Sequence, residues 1–187
     1  MNLDDILNKN RQRLRRLIDL RIDRRLQARV DASDVIQETF IEATKRFDGY
    51  ADERAVSPYV WLRFLACQKL NQLHRKHLGA QARAADREVS VNQQVGPSAT
   101  SAVMAIDLLD QGLSPSQIVA GKERASQMQD LIESMSEDDR EIIALRNFEQ
   151  LSKVEVAEIL QISTDAAYKR YVRAIQKLRA LMGGKST

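Results

Sequence analysis

The sequence predicts an all-α protein of two small helical domains joined by a linker, the C-terminal one a helix-turn-helix. Three observations carry this. Apolar residues recur at spacings of three and four over long stretches, as on a helix with one buried face. Glycine and proline number only seven and three in 187 residues, which argues against a turn-rich all-β fold. From about Ser90 to Ala120 the helical stripe lapses into SVNQQVGPSATSAV and turn signals. The domains are therefore expected at 1–88 and 122–187, with a linker at 89–121.

The elements follow in order. Leu14, Leu17, Ile18, Ile22 and Leu26 recur on one side of an Arg-rich first helix. Asp31 or Ser33 can cap a second helix, whose core stripe is Ile36, Thr39, Phe40, Ala43 and Phe47. Its other side shows Asp34, Gln37, Glu38, Glu42 and Lys45. DGYADERA, residues 48–55, is polar and contains Gly, so it reads as a loop. Ser57-Pro58 restarts a helix: Ser is a good cap, and Pro in the first turn loses no needed N–H. Trp61, Leu62, Leu65, Ala66, Leu70 and Leu73 are its apolar residues, and Gly79 is its expected stop.

Within the linker, Ala102 to Leu109 could form one short helix, and Gly112 and Ser114-Pro115-Ser116 are turn signals. The second domain opens near Gly121 with an amphipathic helix from Ala125 to Ser134. Ser136 followed by Asp139 starts the next helix, through Phe148. Ser152 followed by Glu155 is a capping box for a third, ending near Leu160. Gln161-Ile162-Ser163 makes a turn, and Ser163 or Thr164 caps a long basic helix to about Met182.

Composition excludes several classes of function. Hydrophobic residues at 43% with a net charge of +3 do not suit a fully disordered chain. One cysteine excludes a disulfide scaffold and a Cys-based zinc site. No apolar run approaches the ~18 residues a membrane span needs. The polar start MNLDDILNKN is not a signal peptide, so a cytoplasmic protein without membrane insertion is expected. There is no phosphate-binding Gly-rich loop, no HExxH and no nucleophile with a local signature. Cys67, His74 and His77 fit no standard metal site: Cys67, within an apolar helix, is expected to be a quiet buried thiol, and the histidines of this basic helix to be solvated or phosphate-facing. Neither catalysis, nor a cofactor, nor a metal is expected.

The small net charge hides segregation. Lys9 to Arg29 holds nine bases and two acids, a local +7, and Asp31 to Arg54 holds seven acids and three bases, −4. Arg63 to Arg87 is +5, Glu133 to Glu149 is −4, and Thr164 to Thr187 is +5. Alternating blocks suit separate faces for separate partners.

The strongest local signal is Leu151 to Arg179. A short helix with small Ala157 inside, a three-residue turn with Ile162, and a second helix have helix-turn-helix spacing. The second helix buries a stripe of Ala167, Tyr171, Ala174, Leu178 and Leu181. Its outer face shows Asp165, Tyr168, Lys169, Val172, Arg173 and Gln176, which suits the major groove. Arg173, Lys177 and Arg179 lie further along, where phosphate is the expected target.

MSEDDREIIALRNFEQLSKVEVAEILQISTDAAYKRYVRAIQKLRALM closely resembles region 4 of bacterial sigma-70-family factors of the extracytoplasmic-function (ECF) type. RVDASDVIQETFIEATKRFDGY resembles region 2.2 of the same group, and SPYVWLRFLACQKLNQLHRKHLG resembles regions 2.3 and 2.4. The resemblance covers roughly residues 5–88 and 122–182, in the family's order. It implies a non-enzymatic subunit that binds core RNA polymerase and directs promoter recognition and transcription initiation.

Asp34, Gln37, Glu38 and Glu42 match the surface that docks on the polymerase β′ clamp, and an acidic, amide-bearing face suits a basic helical partner. The β flap is the other implied polymerase contact. For opening the minus-ten element, Tyr50, Tyr59 and Trp61 are candidate stacking groups, and Arg63, Lys69, Arg75 and Lys76 are candidate phosphate contacts. For the minus-thirty-five element the implied contacts are Thr164, Asp165, Tyr168, Lys169, Arg170, Arg173 and Lys177. An anti-sigma protein is a partner common in the resembled group.

The chain also departs from the pattern. Cys67, Gln68 and Gln72 stand where many members carry Arg-Asn and a following Asp, and Gln161 stands where the turn usually has Gly. Tyr168-Lys169 replaces a Lys-Ser pair. Two rival readings are a repressor or activator using only the helix-turn-helix, and a nucleic-acid-processing enzyme. The first leaves the region 2 resemblance unexplained, and the second lacks a catalytic constellation.

Overall fold

A computed structural model describes residues 2–27, 29–53, 55–86, 99, 101, 104–105 and 118–183. The chain divides into two compact units, one of Met1–Pro97 with Glu158–Gln161, the other of Ser98–Ala157 with Ile162–Thr187. Every regular element among the described residues is helical. None of these helices is long and apolar enough to cross a membrane. The linker's expected short helix and turn signals lie largely outside the described residues, with Ser101, Met104 and Ala105 helical.

The N-terminal unit opens with α1 (Leu3–Arg21). The Asn2 side chain accepts from the Asp4 N–H at 3.0 Å, and Asp4 and Asp5 complement the positive end of the helix. The sequence suggested one helix running on through Leu26, but the chain breaks at Ile22–Asp23 and resumes as α2 (Arg24–Gln27). Asp23 explains the break. Its Oδ1 accepts the Arg25 N–H at 2.9 Å, a local bond that competes with continuing the helix. Asp31 caps α3 (Ala32–Glu53) in the same way, accepting from the Ser33 N–H at 2.7 Å.

Two further expectations are corrected. Most of the segment 48–55 is not a loop, because α3 continues through residues 48–53. Its last turn is held by Tyr50, which is buried and stacked on Trp61 with ring centroids 4.3 Å apart. Tyr50 Oη also donates to the Val56 carbonyl at 3.1 Å. Tertiary packing here overrides a polar, Gly-containing composition. Nor does Gly79 stop α4 (Pro58–Asp86), for the residues that follow, AQARAAD, are mostly strong helix formers.

Helices α1, α3 and α4 pack pairwise. Leu14, Leu17 and Ile18 meet Val35, Ile36 and Ala43 with Leu62, Leu65, Ala66 and Leu70 in a core where none is more than 1% exposed. Each fully buried Leu or Ile contributes about 1.5–3 kcal/mol. Thr39 is accommodated because its Oγ1 donates to the Val35 carbonyl at 2.7 Å. Cys67 is buried among these residues, as its apolar surroundings suggested.

After the linker come α5 (Ile118–Glu133), α6 (Glu137–Ile143), α7 (Lys153–Leu160) and α8 (Thr164–Gly183), all in the C-terminal unit except the last turn of α7 from Glu158. Helix α5 starts earlier than Ala125. Helix α6 ends before Phe148, passing into a π-helical turn over Ala144–Phe148. The Glu149 N–H donates to the Ala144 carbonyl at 3.0 Å and the Leu151 N–H to the Leu145 carbonyl at 3.0 Å. The widened turn places Ile142, Ile143, Ala144, Leu145 and Phe148 all in the core. Gln150 then takes φ 56° to leave it.

Helices α7 and α8 form the expected helix-turn-helix. The capping box is complete: the Ser152 N–H donates to Glu155 Oε2 at 2.8 Å, and the Glu155 N–H to Ser152 Oγ at 3.2 Å. Gln161 adopts φ 53°, the left-handed conformation usual for Gly after a helix. Ser163 caps α8, accepting the Ala166 N–H at 3.1 Å. Ala167, Ala174 and Leu178 are buried, while Tyr171 and Leu181 are half-buried.

Candidate functional site

Helix α8 presents the surface with the clearest chemistry. Thr164, Asp165, Tyr168, Lys169 and Arg173 are exposed. Tyr168 is 51% exposed, an unusual state for a large aromatic in a small domain. The Lys153 ammonium of α7 sits 4.9 Å from its ring centroid, a cation–π contact that joins the two helices of the motif. Arg173 Nε donates to the Lys169 carbonyl at 3.4 Å. The face therefore offers donors and one aromatic ring along two turns.

Two expected members of this set are placed otherwise. Arg170 pairs with Asp138, and Lys177 with Asp139, both acids in the first turn of α6. They point toward α6 and are engaged within the unit. Asp139 is itself buried, which alone would raise its pKa. Hydrogen bonds from Lys177 and Ser136 outweigh that and hold it below the ordinary carboxylate range. The Ser136 hydroxyl donates to Asp139 Oδ2 at 2.8 Å and accepts the Asp139 N–H at 3.3 Å.

On α3, Asp34, Gln37 and Glu38 are exposed along one side. Between them and Lys45 stands Ile41, 57% exposed. Sequence reasoning missed it, although an apolar residue off the core stripe was the available signal. Glu42 is less open. It hydrogen-bonds Arg46 Nε at 2.6 Å and lies 3.6 Å from Lys69 Nζ, and the Arg46 bond holds its carboxyl below its ordinary range. Glu42 and Lys69, expected in two different sites, thus neighbour each other.

The expected minus-ten set divides. Arg75 and Lys76 are exposed on α4. Arg63 is fully buried, so the expectation that it contacts phosphate is corrected: it lies inside the helical packing. Tyr59 is 3% exposed, with the Arg13 guanidinium 3.6 Å from its ring centroid, so its ring is covered rather than open to a base. Tyr50 and Trp61 stack on each other, with Phe47 6.4 Å from Trp61. In this conformation they act as a structural aromatic cluster. Arg21 is also fully buried, and nothing in the local sequence marked either arginine.

His74 was expected to be solvated or phosphate-facing. It is half-buried instead, and its Nε2 accepts the Asp23 N–H at 3.2 Å. Burial pushes its pKa down, favouring the neutral acceptor form. Asp23 is held at about 2 by its Arg25 hydrogen bonds. Among the described residues no group of His, Cys, Asp or Glu is arranged to hold a metal ion.

A family model described as Sigma-70 region 2 matches residues 7–78, and one described as Sigma-70, region 4 matches residues 125–178. Together they cover well over half of the chain, in the order the two units follow. The chain belongs to the sigma-70 family. It is a sigma factor matched over regions 2 and 4, the ECF-like architecture, and it directs promoter recognition by binding rather than by catalysis. Among solved structures, CnrH in complex with the cytosolic domain of CnrY is similar at 20% identity and a TM-score of 0.51, over 98% of this chain and 89% of that one. That likeness speaks to the fold. No curated protein matches.

Proposed function

We propose that this sigma factor divides its work between its two units. In the N-terminal one, the exposed stripe of Asp34, Gln37, Glu38 and Ile41 docks on the β′ clamp of core RNA polymerase. An apolar centre rimmed by acids and an amide is the arrangement that gives an interface both affinity and charge selectivity. Arg75 and Lys76 contact the phosphates of the minus-ten element as it opens. In the C-terminal unit, Tyr168, Lys169 and Arg173 read the minus-thirty-five duplex, Thr164 and Asp165 flank them at the helix start, and the unit also meets the β flap. The working division is 1–88, a linker at 89–121, and 122–187, in a cytoplasmic protein. CnrH's complex with CnrY supports a comparable protein partner, an anti-sigma factor, for this chain.

The observation that carries the reading is the outer face of α8, where Tyr168, Lys169 and Arg173 stand exposed on a capped, packed helix-turn-helix. Transcription in vitro with core polymerase and a promoter library tests it. The chain should select a subset of promoters, and Arg173→Ala should lower their use by about 1–3 kcal/mol if the arginine reads a base. Tight binding of promoter duplex by the free chain, with no association with core enzyme, would instead favour a helix-turn-helix regulator.

A further inference from the structure

Acids at the start of α6 meet bases on α8 in a matched pattern. Asp138 and Asp139 are adjacent, while Arg170 and Lys177 are seven residues apart and therefore lie along one flank of their helix. That flank adjoins the face carrying Tyr168, Lys169 and Arg173. The Arg170 side chain is 25% exposed and its partner Asp138 82% exposed. Lys177 is 60% exposed against a buried Asp139. An acid as open as Asp138 adds little to stability through its ion pair. Its effect on charge is larger, because it occupies a guanidinium within a few residues of a DNA-reading surface.

We propose that Asp138 and Asp139 are specificity-determining residues that act as built-in competitors of DNA phosphate. They hold Arg170 and Lys177 off the backbone, so that binding depends on the base-reading face rather than on indiscriminate cationic attraction. The proposal rests on the reading of α8 as the DNA-reading helix. Its physical basis is that every phosphate neutralised by a cation releases counterions, which strengthens binding to all sequences alike. Two fewer available cations lower non-specific affinity more than specific affinity, which also draws on base contacts.

The experiment is a salt series of full-chain binding to a mixed-sequence DNA duplex, read by fluorescence anisotropy, with circular dichroism to check folding. Asp138→Asn keeps the size and helical position of an exposed residue but frees Arg170. It should bind more tightly at low salt, with log K against log salt steeper by about 0.9. Adding Arg170→Met should return the slope to that of the parent. Asp139→Asn should give a similar steepening through Lys177. A parental slope in both single variants would overturn the proposal, as would a steeper slope that survives Arg170→Met. Lys169→Ala and Arg173→Ala separate the two levels. If they weaken binding while the aspartate variants change nothing, this proposal fails alone. If they too change nothing, the assignment of α8 has failed.

Discussion

Gln161 holds a backbone conformation, φ 53°, that L side chains adopt at a cost of about 1 kcal/mol relative to Gly. Gln161→Gly should therefore stabilise the protein by about that amount, seen as a higher urea midpoint with an unchanged slope. A lower midpoint would mean that the Gln side chain makes up for the strain. At this scale much was legible in the sequence. Ser136, Ser152 with Glu155, and Ser163 all cap as their local chemistry dictates, because a cap needs only neighbours three residues away. The burial of Arg21 and Arg63 was not legible, since long cations usually stay at the surface and only the assembled helices enclose these two. Arg170 and Lys177 were assigned to DNA through the family resemblance, Lys177 also from its place along the helix. Their acids lie about thirty-eight residues away for Lys177, beyond any local pattern.

Helix α3 shows how packing extends an element past its sequence signals. Gly49 lies in its last turns, and a Cβ there would meet nothing within 4 Å. Gly49→Ala should stabilise the protein by roughly 0.5–1 kcal/mol through helix propensity. An unchanged or lower melting temperature would show that the last turn needs the glycine. The expected loop was misread because stacking of Tyr50 on Trp61 links residues eleven apart, across the connection to α4. The break between α1 and α2 is tied to α4 by His74. A base whose folded pKa is lowered supplies stability that is complete above its unfolded value, near 6.5, and declines as pH falls through that value toward the folded one. The charged groups acting on His74 are Asp23, which raises its pKa, and Arg25, which lowers it. The wild type should lose stability as pH falls through about 6.5 and below, and His74→Gln, which can still accept the Asp23 N–H but does not titrate, should lack that part of the decline. Identical pH profiles in urea denaturation would remove His74 from the account.

Across the whole molecule, a net charge of +3 is a near-cancellation of basic and acidic blocks. The structure refines what those blocks do. Part of the acidic block at the start of α6 is turned onto α8, while Asp34 and Glu38 of α3 stand exposed with Ile41. This distribution fits the proposed reading, in which promoter contact follows once the acidic face has joined a basic partner. The two-domain helical fold and the outer face of α8 were readable because both rest on helical periodicity. The aromatic residues expected to stack on bases were harder to read, because burial rather than residue type decides whether a ring is open. The central claim is that the exposed face of α3 docks on core polymerase, and Glu38→Lys tests it most directly by reversing charge at an exposed position. Measured as competition of the folded variant with the wild type for core RNA polymerase, affinity should fall at least tenfold, with circular dichroism and melting unchanged. A folded Glu38→Lys protein that competes as well as the wild type would contradict the account.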